Sequence, residues 1–167
     1  MTIGHLAVPG TAEQIRCFPG EVRQVRAARH FVGGALAGCP VRERLLTCVS
    51  ELAANAVEHT ESGAGGTFTV AVGRPRDGVA FVAVLDAGGP AEPAVGEAGE
   101  LAEDGRGLAL VAAFSSRWGY RDTARGRIVW AEATWPAPVR GAGGARRNPS
   151  DVWEGSWRNP MEHPGVA

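Results

Sequence analysis

Glu51-Leu52-Ala53-Ala54-Asn55-Ala56-Val57-Glu58-His59 is the stretch on which the reading of this 167-residue chain turns. Its composition is helical, and four-residue spacing stacks Glu51, Asn55 and His59 on one face. Leu45, Val49, Leu52 and Ala56 recur along the same helix as a second, apolar face. A buried stripe therefore runs beside a row made of a carboxylate, a carboxamide and an imidazole. Such a row suits metal binding, catalysis or plain solvation, and periodicity alone leaves all three open.

Around this helix the sequence divides readily. Residues 1–13 form an arm without strong pattern, and 14–18 alternate as a short strand closed by Pro19-Gly20. Residues 21–36 read as a helix whose stripe is Val22, Val25, Ala28, Val32 and Ala35. Arg23, Arg26 and Arg29 lie off that stripe, as a solvated face or a docking surface for an acidic partner. The central helix spans 41–59, and Thr60-Glu61-Ser62-Gly63 is its stop. Residues 67–74 alternate as a strand, Pro75-Arg76-Asp77-Gly78 is a turn, and 79–85 is an almost wholly apolar central strand. These two strands are expected to pair as a hairpin.

Two glycine motifs follow. Asp86-Ala87-Gly88-Gly89-Pro90 places a carboxylate at the end of a buried strand, with glycines that admit close backbone approach. Residues 91–104 are acidic and aperiodic and read as a mobile loop. Gly105-Arg106-Gly107 then opens a helix at Leu108-Ala109-Leu110-Val111, with free backbone N–H groups and one cation to meet an anion. Residues 117–121 and 126–135 form a second hairpin, in which Ile128, Trp130 and Ala133 are read as one alternating face. Residues 137–167 mix Pro, Gly and Arg with Trp153 and Trp157 and are expected to be a disordered tail. The organisation is thus an arm at 1–13, one domain at 14–136 and a tail at 137–167, without internal repeat.

Composition removes several classes of function. The hydrophobic fraction is 44% and the formal charge −1, which gives no bulk attraction to nucleic acid or membrane. No apolar run approaches the ~20 residues of a membrane span, and the N-terminus does not read as a signal peptide. A cytoplasmic protein is expected. Cys17, Cys39 and Cys48 are odd in number and lack CxxC spacing, so buried free thiols are expected rather than disulfides or a zinc site. All 17 basic residues other than histidine are arginine. Without lysine there is neither a P-loop nor the strand lysine of a eukaryotic-type protein kinase.

The order Glu-Leu-x-x-Asn-Ala-x-x-His, then Asp-x-Gly-Gly, then Gly-Arg-Gly-Leu-x-Leu-Val resembles the GHKL (histidine kinase-like) ATP-binding family. Within it the chain is most similar to the stand-alone anti-sigma-factor serine/threonine kinases (the RsbW and SpoIIAB type) and their actinobacterial relatives. Phe18-Pro19-Gly20, Arg26-Ala27-Ala28-Arg29 and Ile128-Val129-Trp130-Ala131-Glu132 share in that likeness, which covers residues 14–135. The resemblance implies a two-layer α/β sandwich (the Bergerat-type ATP-binding fold), with an antiparallel or mixed sheet and helices on one face.

It also implies ATP and Mg²⁺ as ligands. Asn55 would coordinate Mg²⁺ and Glu51 would be the general base. Asp86 would accept a hydrogen bond from the adenine amino group, with Gly88 letting the ring lie close. Gly105, Arg106 and Gly107 would form the phosphate end of a lid. His59 is read as a helix end or a phosphate contact, and His30 as a plain helical residue rather than a phosphoacceptor. Relatives commonly carry Thr or Ser where Ile128 stands, which bears on adenine binding. The implied partners are a sigma factor and a small antagonist protein, and the implied assembly is a homodimer. A nucleotide-dependent binding module without transfer activity and a histidine-kinase fragment are the rival readings.

Overall fold

A strand that is apolar at nearly every position has to be covered on both faces, and Val79–Asp86 is such a strand. In the structure, a computed structural model that describes residues 12–88 and 106–137, this strand lies at the centre of the sheet. The elements in chain order are β1 (Gln14–Pro19), α1 (Val22–Ala35), α2 (Arg42–His59), a 3-10 turn (Glu61–Gly63), β2 (Thr67–Arg76), β3 (Val79–Asp86), α3 (Arg106–Phe114), β4 (Arg117–Thr123) and β5 (Gly126–Thr134). The sheet order is β1-β2-β3-β5-β4 and every pairing is antiparallel. The expected two-layer α/β sandwich is therefore the fold, with an antiparallel sheet.

Both expected hairpins form. The β2–β3 turn is tighter than expected, because Pro75 and Arg76 remain in β2. The register shifts between Gly73 and Arg76, an irregularity that accommodates a proline without a donor. Ala12 and Glu13, expected in the arm, are in fact attached to the sheet. Glu13 N–H donates to Val72 O at 3.0 Å, and the Glu13 carboxylate accepts from Arg74 N–H at 3.1 Å. The remainder of the arm, the 91–104 loop and the tail beyond Ala137 lie outside the described residues.

Alternation sorts the side chains into two cores. Val70 and Val72 of β2, Ala80, Val82 and Val84 of β3, and Val129, Ala131 and Ala133 of β5 face the helices. Ala71, Phe81, Ala83, Ile128 and Trp130 form a separate cluster on the opposite face. Ala133 thus does not share a face with Ile128 and Trp130, because an odd separation along a strand reverses direction. On α1 the stripe begins at Val25 rather than Val22. Val22 occupies the first helical position and is 70% exposed, whereas Ala28 and Val32 are fully buried. Cys39 and Cys48 are buried free thiols as expected, but Cys17 is exposed on the edge strand β1.

Glu132 lies on the same face as Trp130, opposite Phe81 in β3 and Arg117 in β4. It is 1% exposed, and its Oε2 has no hydrogen-bond partner among the described residues. Burial raises its pKa, against the smaller lowering influence of Arg117 and Arg76. A carboxyl group whose folded-state pKa is raised costs stability as pH climbs from its unfolded to its folded value. Glu132→Gln should therefore raise the urea midpoint at neutral pH. The gain should shrink on acidification and vanish below the ordinary glutamate range; a gain independent of pH would contradict this.

Candidate nucleotide site

The two faces of α2 meet different neighbours. Leu45, Val49 and Ala56 are fully buried and Leu52 is 2% exposed, all within the main core. Burying that stripe fixes the helix's rotation, so Glu51 and Asn55 are held half-buried on the adjacent face. The first turn of α3 lies directly against them. A Cβ placed at Gly107 would come within 3.1 Å of Glu51 Oε2 and 3.2 Å of Asn55 Oδ1. A side chain there would crowd both groups, so glycine lets the N-terminus of α3 lie against them without displacing either. The first N–H groups of a helix lack intrahelical partners and carry its positive end. Arg106 is exposed at the same end. Carboxylate, carboxamide and helix N-terminus are thus brought together as the sequence implied, while Gly105 lies outside the described residues.

Burial raises the pKa of Glu51, and the neighbouring negative charge of Glu58 raises it further. Its carboxylate is therefore a better proton acceptor than a solvated one. His59 does not join the row. It is the last residue of α2, 45% exposed at its side chain, with Nε2 4.0 Å from Glu58. His30 is likewise exposed on α1.

Asp86 ends β3 on the helix side of the sheet, following Val82 and Val84 in alternation. It is 7% exposed, and its Oδ1 accepts from Gly88 N–H at 2.6 Å. Gly88 adopts φ 77°, which closes this tight turn and is strained for residues with a Cβ. Burial raises the Asp86 pKa; the Gly88 hydrogen bond and the Arg127 charge oppose the rise, while Asp122 adds to it. The residue paired with Asp86 across the sheet is Arg127. Its guanidinium donates to Asp122 Oδ1 at 2.7 Å and lies 5.3 Å from the Tyr120 ring centre. Ile128 pairs with Leu85 and points to the opposite face, so it does not stand beside Asp86. The departure from relatives at position 128 consequently does not touch the site.

A connection that sequence reasoning missed joins the two ends of the site. Thr60 Oγ1 donates to Ala56 O at 2.6 Å, which fastens it to the last turn of α2. The same oxygen accepts from Ser62 N–H at 3.1 Å. Ser62 is fully buried, and its Oγ accepts from Ala87 N–H at 2.9 Å. The relay runs from α2 to the residue after Asp86. The available signal was a Thr and a Ser just past a helix end, residue types whose hydroxyls bond nearby backbone.

Among the described residues, no group of three or more His, Cys, Asp or Glu side chains could hold a metal ion, and no helix is long and apolar enough to cross a membrane. A cation at Asn55 would therefore rely on a small set of hard oxygen donors. That set suits Mg²⁺, which usually keeps water and phosphate oxygens in its shell. A profile of the histidine kinase-like ATPase domain matches residues 18–133, most of the chain, from the end of β1 through all but the last residue of β5. The chain belongs to this family, within the GHKL superfamily, whose domains bind ATP, usually with Mg²⁺. No curated protein matches the chain.

Removing the Ser62 hydroxyl takes the acceptor from Ala87 N–H in a part-buried hydrogen bond. Because Ala87 is exposed, water can replace the acceptor, and Ser62→Ala is expected to cost about 0.5–1.5 kcal/mol, measured by chemical denaturation. Amide exchange at Ala87 and Gly88 should accelerate more than in the β2–β3 pairing.

Proposed function

We propose that this chain is an ATP-dependent serine/threonine protein kinase that also acts as an anti-sigma factor. The observation that carries the proposal is that Glu51 Oε2 and Asn55 Oδ1 lie within 3.2 Å of where a Gly107 side chain would begin. It supports a proton acceptor and an amide oxygen beside the α3 N-terminus, which would meet phosphate groups. Asp86 would take the adenine amino group through its carboxylate, which Gly88 holds in place. Asn55 would hold Mg²⁺ through its side-chain oxygen, and the ion when bound would offset phosphate charge. The backbone N–H groups at Gly107 and the exposed Arg106 would face the transferring phosphoryl group.

In the transfer step Glu51 takes the proton of an incoming serine or threonine hydroxyl. The hydroxyl oxygen bonds to the γ-phosphorus, and the β–γ bridging bond breaks to release ADP. The acceptor we propose is a small antagonist protein, and the second partner is a sigma factor held inactive by a cytoplasmic homodimer. The family likeness supports this finer reading. A nucleotide-dependent binding module would use Asn55 and Asp86 equally well but would leave the raised proton affinity of Glu51 without a role.

The test separates binding from transfer. Asp86→Asn should abolish saturable Mg·ATP binding in a calorimetric titration. Glu51→Ala should retain ATP affinity while radiolabel transfer to a captured protein falls by about 10²–10⁴-fold. If wild type binds ATP but labels no protein retained from native extract, the kinase reading fails and the binding module stands.

A further inference from the structure

On the flank of α2 away from α3, the helices α1 and α2 enclose a depression of about 390 Å³. Its walls carry Arg26, Arg29 and His30 from α1 and Arg42 from α2, over a floor of Gly33 and Gly34. It shares no residue with the candidate nucleotide site, and the inference drawn from it stands independently of ATP binding.

Clustered arginines are often no more than a solvated face, and two features set these apart. Arg29 and Arg42 are fixed by main-chain oxygens. Arg29 Nη1 donates to Leu46 O at 2.8 Å and to Ser50 Oγ at 3.0 Å, and Arg42 Nε donates to Gly33 O at 3.1 Å. A Cβ at Gly33 would come within 2.9 Å of Arg42 Nη2, so that guanidinium lies over bare backbone and would have to shift for a side chain there. Arg26, by contrast, makes no hydrogen bond or ion pair among the described residues. Two oriented guanidinium groups and a third that is free to turn inward therefore surround an open floor. A Cβ at Gly34 would meet nothing within 4 Å.

The charge is only partly compensated. Glu43 bonds Arg42 and lies 3.9 Å from Arg29 Nη2, but it is 72% exposed and stands outside the lining. Three guanidinium groups against one carboxylate leave an excess matched by a dianion. Guanidinium forks pair with the oxygens of phosphate in bidentate fashion, and donors fixed beforehand lose little freedom on binding.

We propose that this pocket binds a phosphate monoester group. The group could be carried by a free small molecule or by a phosphorylated side chain of a protein, since both present the same dianion. Ser50, which holds Arg29, directly precedes Glu51 in the chain. Side chains at consecutive helix positions point about 100° apart. An occupant would thus sit beside the face that carries Glu51 and Asn55 without entering it.

The experiment is a titration of the full chain, followed by amide chemical shifts at constant ionic strength. Inorganic phosphate is one arm, a phosphoserine peptide the second, and its unphosphorylated form the control. Saturable shifts at the Gly33 and Gly34 amides are expected with at least one of the two phosphate probes. Whichever probe saturates identifies the source. Arg26→Ala should weaken that binding by about tenfold; because Arg26 is exposed and unbonded, the variant should fold normally. Arg106→Ala, at the phosphate end of the nucleotide site, should leave the binding unchanged. Shifts that stay linear for both probes, or that match in Arg26→Ala and wild type, would overturn the proposal. So would shifts lost in Arg106→Ala, which would place the phosphate in the nucleotide site.

Discussion

The rotation of α2 about its own axis is the constraint on which the rest of the molecule depends. Leu45, Val49, Leu52 and Ala56 can leave water only against the sheet, where Ala80, Val82 and Val84 of β3 complete the core. Fully burying a leucine or valine is worth about 1.5–3 kcal/mol. Turning the helix enough to bury Glu51 or Asn55 would forfeit several such contributions and add the desolvation of a charge. The polar row is therefore aimed by the apolar one. Its partner, the first turn of α3, meets it at position 107, where the lack of a side chain leaves both polar groups uncrowded.

The base end of the site is organised differently. Asp86 owes its position to β3, but its carboxylate is oriented by the Gly88 N–H that donates to it, and the backbone just after it is held by Ala87 N–H donating to Ser62 Oγ. Thr60 ties that arrangement to the last turn of α2. Packing places the polar row, whereas hydrogen bonding places the Asp86 end. The two are coupled through a few residues that follow the helix.

This difference explains what was legible in the sequence. Apolar periodicity is a direct record of burial, so α2, the two hairpins and the helix after Gly105-Arg106-Gly107 could all be read from it. The antiparallel sheet and its helices on one side followed from the family likeness. Alternation misleads across an odd separation: Ala133 faces the helices while Ile128 and Trp130 face away. The likeness to relatives points to position 128 for adenine, but Ile128 lies on the face away from Asp86. Hydroxyl relays leave no periodic trace, so Thr60 and Ser62 passed for a simple helix stop. The arginines of α1 looked like one row. The structure divides them: Arg23 pairs locally with Glu21, Arg29 reaches across to α2, and Arg26 is left open.

Arg44 gives α3 an asymmetry of its own. It projects from α2, where its Nε donates to Phe114 O at 2.9 Å and its other nitrogens approach Thr134 O and Ser116 Oγ. A second side-chain hydrogen bond reaches α3 at its middle, from the Cys48 thiol to Val111 O at 3.9 Å. The Arg44 guanidinium thus gathers the end of α3, the Ser116 that follows it and the end of β5. It acts as a corner brace, pinning the helix layer to the sheet where the chain passes from one to the other.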